Sequence, residues 1–286
     1  MSELKKGLYE QVLSEILEKQ LRALDEKLGY ETGDLEREEA SVELSKYMQK
    51  VTESALERIP GKKAERREKQ IKICNDIIEI FQRVVEEEYE QFKISEKAQK
   101  LLSIYEKIKY QAQKKIVIPR PESPLNQSSI FTGSSNLEPS LVSEWKKEIR
   151  SADRINLIVS FIRWSGVRQI IKDLKKFTSE EKKKLRIITT TYTGSTQAKA
   201  IEELSKLQNT EIKISYDTNR TRLHAKAYIF ERDSGFGTAY IGSSNLSHVA
   251  ISSGLEWNIK VSQYENKEVF KKCIGTVESY WNDAEF

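Results

Sequence analysis

Residues Leu223 to Glu231 alternate in character, and this alternation limits what the chain can be. In an extended strand Leu223, Ala225, Ala227 and Ile229 point one way, and His224, Lys226 and Tyr228 point the other. Burying an imidazole beside an ammonium on one strand face is costly. A second apolar run, Ala239-Tyr240-Ile241, breaks at Gly242 into Ser243, Ser244 and Asn245. If the two strands pair, their polar ends can meet. Histidine, lysine, serine and asparagine together suit one task, which is holding a phosphate while its phosphorus is attacked. Lysine supplies charge, serine and asparagine supply neutral donors, and a neutral imidazole is a nucleophile.

Around these two strands the second half of the chain alternates strand and helix. Strands are expected at 155–161, 185–191, 211–216, 223–230, 238–241 and 256–261, and helices at 141–149, 165–177, 196–207 and 267–281. Such alternation argues for an α/β sandwich, with a mixed sheet covered on both faces. Residues 1 to about 113 read as helix throughout. Leu4, Leu8, Val12, Ile16, Leu17, Leu21, Leu24 and Leu28 recur at helical spacing up to Gly29. A second helix is expected over Ser41–Ile59, ended by Pro60-Gly61, a third from Lys63 and a fourth from Ser95. The mixed run from Lys62 to Lys69 reads as a solvated helix face.

Between the halves, Pro119, Pro121, Pro124 and Pro139 lie among serine, asparagine and glycine, the composition of a linker or an extended crossing segment. The expected organisation is therefore a helical region at 1–115, a linker at 116–140 and an α/β domain at 141–286. The linker holds a second Gly-Ser-Ser-Asn, Gly133 to Asn136, but no His-x-Lys precedes it and no strand pattern leads into it. It is read as a decoy and not as half of a duplicated site.

Charge and cysteine usage narrow the classes. The net charge of +4 permits a nucleic-acid partner without demanding one. Cys74 and Cys273 are too few and too isolated for a disulfide framework, and with only His224 and His248 a His/Cys metal site is not expected. No stretch approaches the roughly 20 apolar residues of a membrane span, and the first residues lack the apolar core of a signal peptide. A reducing cytoplasm, no membrane and no cofactor are the expectations. The Gly-x-x-x-x-Gly-Lys-Ser/Thr of an ATP-binding loop is missing from the sequence.

His-x-Lys followed by Gly-Ser-x-Asn resembles the HKD signature of the phospholipase D superfamily. The resemblance covers roughly 141–261 and includes a glutamate shortly after the second segment, Glu256. The stretches 220–230, 235–248 and 253–258 look like the HKD domain at the front of bacterial DEAD/DEAH-type helicases. What this implies is a phospholipase D-like α-β-α sandwich with a mixed sheet, preceded by an all-α region. It also implies a metal-independent phosphodiesterase, in the first place a nuclease acting on DNA, with RNA as the alternative. The catalytic set would be His224, Lys226, Asn245, Glu256 and Ser243. His224 would form a phosphohistidine, Lys226 and Asn245 would hold the non-bridging oxygens, Ser243 would add a donor, and Glu256 would accept a hydrogen bond from the His224 ring. Family members with a single copy of the motif pair two chains, so a homodimer is expected, alongside or fused to a helicase. Restriction or defence against foreign DNA is the setting that the resemblance suggests. The family's Asp, five residues after the Lys, is Glu231 here. That departure keeps open a catalytically weak nucleic-acid-binding or docking module, and a lipid phosphodiesterase ranks last.

Other residues near these segments have structural readings. His248 lacks the His-x-Lys context and reads as a surface or capping residue. Phe161 and Trp164 follow a buried strand at its carboxyl end, where aromatic core competes with base stacking. Thr189 to Tyr192 end another strand ahead of Gly194 and Ser195, a weak phosphate-binding signal at a helix start. Arg220 and Arg222 precede His224 and would flank it as phosphate contacts or as solvated loop.

Overall fold

The structure is a computed structural model that describes residues 4, 6–24, 28–85, 90–104, 119–133, 138–217 and 222–284. The chain divides into two compact units, Met1–Tyr105 and Glu106–Phe286.

The first unit is helical but less continuously than its periodicity predicts. Its helices are α1 (Glu15–Arg22), α2 (Arg37–Arg58) and α3 (Lys63–Val85). The Ser14 side chain caps α1 by accepting from the Leu17 N–H at 3.2 Å. Pro60 forces Ile59 into extended backbone and so ends α2. Gln70 then ties α3 back to the Leu56 carbonyl at 3.0 Å. Of the long first helix expected over 4–28, the described residues form only α1. The fourth helix from Ser95 does not form in the described residues 95–104. The reason is local: the Asn75 side chain takes both the N–H and the carbonyl of Ile94, at 2.8 and 3.1 Å. That commits the backbone to tertiary bonds where a helix would have to start, and Ala98 follows at φ 50°.

The second unit is built on a seven-stranded mixed sheet, in the order β1-β7-β6-β5-β2-β3-β4. The strands are β1 (Ser129–Phe131), β2 (Arg154–Val159), β3 (Lys184–Thr190), β4 (Thr210–Ser215), β5 (Lys226–Glu231), β6 (Thr238–Gly242) and β7 (Asn258–Ser262). β2, β3 and β4 are parallel, while β5 runs antiparallel to β2 and pairs with β6, which pairs with β7. The helices are α4 (Leu141–Ser151), α5 (Trp164–Thr178), α6 (Ala198–Ser205) and α7 (Lys267–Asn282). Strand alternation sends Leu157, Tyr228 and Tyr240 into one core with Trp145, Val167, Ile170 and Leu204 of α4, α5 and α6. It sends Ile158, Ile188, Ile229 and Ala239 into a second core with Phe270 and Val277 of α7. Both sheet faces are thus covered by helix, as the alternation predicts.

Part of the stretch expected as linker is sheet. β1 lies within it and pairs antiparallel with β7, Ile130 opposite Ile259. A buried ionic cluster holds the approach to β1 in place. Glu144, on α4 and fully buried, accepts from the backbone N–H groups of Glu122 and Ser123 at 2.7 and 3.1 Å. Lys260 of β7, also fully buried, donates to Ser123 Oγ and the Pro124 carbonyl at 2.8 and 2.6 Å. Glu148 accepts from Tyr240 Oη at 2.9 Å and Arg232 Nη2 at 2.5 Å. Two carboxylates and two cations balance, and each finds hydrogen bonds, which is the condition for burying charge. Burial holds the Lys260 amine below lysine's usual range, against the pull of Glu148 and Glu144.

Candidate active site

The pairing of β5 with β2 and β6 brings the predicted polar ends together. Lys226 is the first residue of β5 and sits opposite Val159, at the carboxyl end of β2. The strand begins at Lys226 and not at Leu223 as its pattern predicts, because residues 222–225 leave the ladder. Leu223 still packs into the α7-side core, while His224 stands exposed.

Lys226 is only 6% exposed. Its ammonium donates to the His224 carbonyl at 2.6 Å and lies 2.9 Å from Nδ1 and 3.3 Å from Nε2 of the His224 ring. Burial lowers its pKa below lysine's ordinary 10.5, and the Glu256 carboxylate opposes that shift.

Asn245 lies in the turn after β6 and is 8% exposed. Its Oδ1 accepts from the Phe161 N–H at 3.2 Å, just past the end of β2. With the oxygen engaged, the amide's donor end is turned the other way. Three interactions hold the turn. Tyr228 Oη donates to the Ser244 carbonyl at 3.0 Å, Asn258 Nδ2 donates to Ser244 Oγ at 2.8 Å, and the Arg163 N–H donates to the Leu246 carbonyl at 2.9 Å. Tyr228 is in turn stacked on Trp145 at 3.9 Å between ring centroids. Gly242 cannot be replaced without movement here, since a Cβ would lie 2.0 Å from the Trp257 carbonyl oxygen. Gly166 at the start of α5 is similarly close to Leu246, at 2.5 Å.

Ser243 and Glu256 meet each other. Ser243 Oγ donates to Glu256 Oε2 and accepts from the Trp257 N–H at 3.1 Å. The expected bond from the His224 ring to Glu256 is not made, and the ring's nitrogens face Lys226 instead. Glu256 acts on the cluster through its charge, which is felt at both Lys226 and Tyr228.

The remaining sequence candidates separate from the cluster or join its rim. Glu231 is the last residue of β5, five residues beyond Lys226 and so about 16 Å along the strand. It accepts from Asn156 Nδ2 at 2.8 Å and pairs with Arg154 at 3.4 Å. His248 is exposed, its N–H donates to Ser165 Oγ at 3.3 Å, and its side chain does not cap the π-helical turn Val249–Ser253 that follows. Phe161 and Trp164 are half-buried at the carboxyl end of β2, and Trp164 packs against the α4-side core. Gly133 of the decoy lies against the Gly254 carbonyl, two residues from Glu256, with a positive φ of 64°. Ser134 to Asn136 of the decoy, and Arg220, lie outside the described residues. Sequence reading missed Tyr228, Ser244 and Asn258 as supports of the turn. The signal was partial: Tyr228 shares a strand face with His224 and Lys226, but that it, Ser244 and Asn258 are buried, and so each needs a partner, only the fold shows.

Among the described residues no three or more histidine, cysteine or acidic side chains converge as metal ligands. No helix there is long and apolar enough to cross a membrane.

A mixed seven-stranded sheet with helices on both faces, carrying His-x-Lys at the start of one strand and Gly-Ser-x-Asn at the end of its neighbour, is the phospholipase D-like fold. Residues 145–281 match the family model described as the PLD-like domain of cardiolipin synthase. Among solved structures the chain is similar to NucT from Helicobacter pylori, at 18% identity over 54% of this chain and 94% of that one, with a TM-score of 0.41. It is also similar to Nuc from Salmonella typhimurium, a phospholipase D family member, at 21% identity over 55% and 95%, with a TM-score of 0.39. Polyphosphate kinase from Porphyromonas gingivalis is matched at 15% identity over 56% of this chain and 23% of that one, with a TM-score of 0.40. No curated protein matches the chain.

Proposed function

We propose that this chain is a metal-independent phosphodiesterase, a nuclease that cleaves DNA through a phosphohistidine. The observation that carries the reading is the contact between the buried Lys226 ammonium and the exposed His224 ring, beside an Asn245 amide locked by Phe161. A His224 ring nitrogen forms a bond to phosphorus as the bond to the leaving oxygen breaks. Lys226 shifts from the ring to a non-bridging oxygen as the imidazole turns to attack, and Asn245 Nδ2 takes another. Water then attacks the phosphohistidine and gives up a proton to the group that protonated the leaving oxygen, the N–P bond breaks, and the ring is restored.

The leaving oxygen needs a proton donor on the side opposite the nucleophile, and one histidine cannot occupy both sides. The reading therefore includes a second copy of the chain, related by a two-fold axis, whose His224 faces the same cleft. An apolar surface beside the site supports this. Ile241, Ile259 and Ile130 stand in register on β6, β7 and β1, at 40%, 53% and 47% exposure, with Trp257 beside Glu256 at 66%. In this reading Glu231, at the far end of β5 in an ion pair with Arg154, takes no part in the chemistry. Work alongside a helicase, in restriction or defence, is the setting that fits the resemblance of the motif segments.

The test is hydrolysis of single- and double-stranded DNA in EDTA by the unsubstituted chain and by His224→Ala, Lys226→Ala and Asn245→Ala. Activity in chelator, lost in all three variants, is expected, and light scattering should report a dimer. Activity that requires added magnesium or manganese, or that survives the substitutions, sinks the mechanism. An active strict monomer sinks the shared cleft.

A further inference from the structure

Three cations stand around the candidate site in one arrangement. The guanidinium of Arg163 lies 5.5 Å from the Phe161 ring centroid, the ammonium of Lys199 lies 5.3 Å from Trp164, and the guanidinium of Arg222 lies 5.7 Å from Tyr192. Each pair is tied to the site or to its neighbour. Arg222 is two residues before His224. Phe161 holds Asn245 through its N–H, and the Arg163 N–H holds Leu246. The Trp164 N–H donates to Gln197 Oε1 at 2.8 Å, and Lys199 follows two residues later. Tyr192 sits just past the end of β3, the strand next to β2. The three pairs therefore line the carboxyl ends of β2 and β3, on the flank of His224 away from β6 and β7.

How these cations are held matters more than how many there are. Arg150, Arg154, Arg186 and Arg232 in the same unit are each paired with a carboxylate. Arg163, Lys199 and Arg222 form no ion pair among the described residues. Glu203, the acid whose charge reaches Lys199, is itself bonded to Lys206 at 2.6 Å. A carboxylate partner positions a cation and cancels its charge. An aromatic face positions it and leaves the charge outward, for a fraction of the energy. Positioned, uncancelled positive charge in a line is what a chain of phosphates requires. A single lipid headgroup would fill one such position and not three.

We propose that Arg163, Lys199 and Arg222, each seated on its ring, form a track for the backbone phosphates of a nucleic-acid strand on one side of the scissile diester. This rests on the phosphodiesterase reading of His224 and extends it to the substrate's flank. The rings orient the cations, so the track reads backbone and is indifferent to base.

The test is binding of short labelled oligonucleotides, single-stranded and duplex, to the full chain carrying His224→Ala, which binds without turnover. Fluorescence anisotropy at salt concentrations between about 50 and 200 mM gives the slope of log affinity against log salt. Each of Arg163→Ala, Lys199→Ala and Arg222→Ala should reduce that slope by about 0.7 if the bound strand is single, or by about 0.9 if it is duplex. The corresponding affinity loss at 0.1 M salt is about fivefold for a single strand and about eightfold for a duplex. Tyr192→Leu should weaken binding with the slope unchanged, because the charge remains and only its seat is lost. Lys272→Ala, on the exposed face of α7, should change neither. Slopes that stay the same in all three cation variants overturn the track. So does binding of anionic phospholipid vesicles, weakened by the same substitutions, without oligonucleotide binding. Hydrolysis of a small aryl phosphodiester by the unsubstituted chain reports on His224 separately. Slopes that fall as expected while that diester stays intact would leave the track standing and the catalytic reading refuted.

Discussion

Replacing Arg232 by methionine should destabilise the second unit severely, and the structure sets the size of the effect. Arg232 is 7% exposed and its partner Glu148 is fully buried. Arg232 Nη2 reaches Glu148 Oε2 at 2.5 Å and Ser151 Oγ at 2.7 Å, and Nη1 reaches the Phe236 carbonyl at 3.0 Å. Without the guanidinium, Glu148 keeps only the Tyr240 hydroxyl, and a buried carboxylate is left uncompensated. Breaking a buried pair in this way costs about 3–5 kcal/mol, a large part of the roughly 5–15 kcal/mol that holds a domain together. For a unit of this size the melting temperature should fall by about 6–20 °C. Glu148→Gln combined with Arg232→Met removes both charges and still gives Tyr240 an acceptor. The double variant should therefore be more stable than Arg232→Met alone. Urea titration followed by tryptophan fluorescence, run as a double-mutant cycle, measures the coupling. A cost under about 1 kcal/mol for Arg232→Met, or strictly additive effects, would refute the claim that this pair is an interdependent buried unit.

Three further outcomes are expected. The alkaline limb of the rate profile should fall below lysine's ordinary 10.5, because burial lowers the Lys226 pKa and the reaction needs its charged form; a limb unchanged in Lys226→Arg would assign it to another group. Tyr228→Phe should cost about 1–3 kcal/mol by orphaning the buried Ser244 carbonyl, and should lower kcat through the loosened Asn245 turn, with stability read by thermal melts and kcat by diester hydrolysis. Glu231→Asp should lose stability by about 1 kcal/mol as the Asn156 bond at 2.8 Å is stretched, with the rate of diester hydrolysis unmoved; a rate change would bring residue 231 back to the chemistry.

The parts of this molecule that were legible in advance are those written in local periodicity. The alternation through Tyr228 and Ile229 does separate two cores, and antiparallel pairing does put the start of β5, with Lys226, beside the end of β6, where the chain breaks at Gly242. Glu231 was also readable: five residues of strand carry it away from Lys226 whatever its chemistry. β1 was not, because three residues among prolines show no period and their partner, β7, lies more than a hundred residues later. The fourth helix failed for a related reason, since Asn75 captures Ile94 from 19 positions away. The pairing of Glu256 with Ser243 was equally hidden, as both it and His224 were candidates by type and only the fold chooses between them.

The bond from the Phe161 N–H to Asn245 Oδ1 has a consequence for how this protein would age. Hydrolysis of the Asn245 amide would replace a nitrogen by an oxygen of almost the same size. The oxygen that Phe161 grips would be untouched, so the turn, the sheet and the melting curve would register little. The outward atom, however, would change from a donor into part of a negative charge, at the place where the proposed mechanism seats a phosphate oxygen. Such a molecule would pass every test of folding and fail the test of chemistry. A preparation that loses activity on storage without losing structure should therefore be examined at this one atom, by peptide mass, before its fold is suspected.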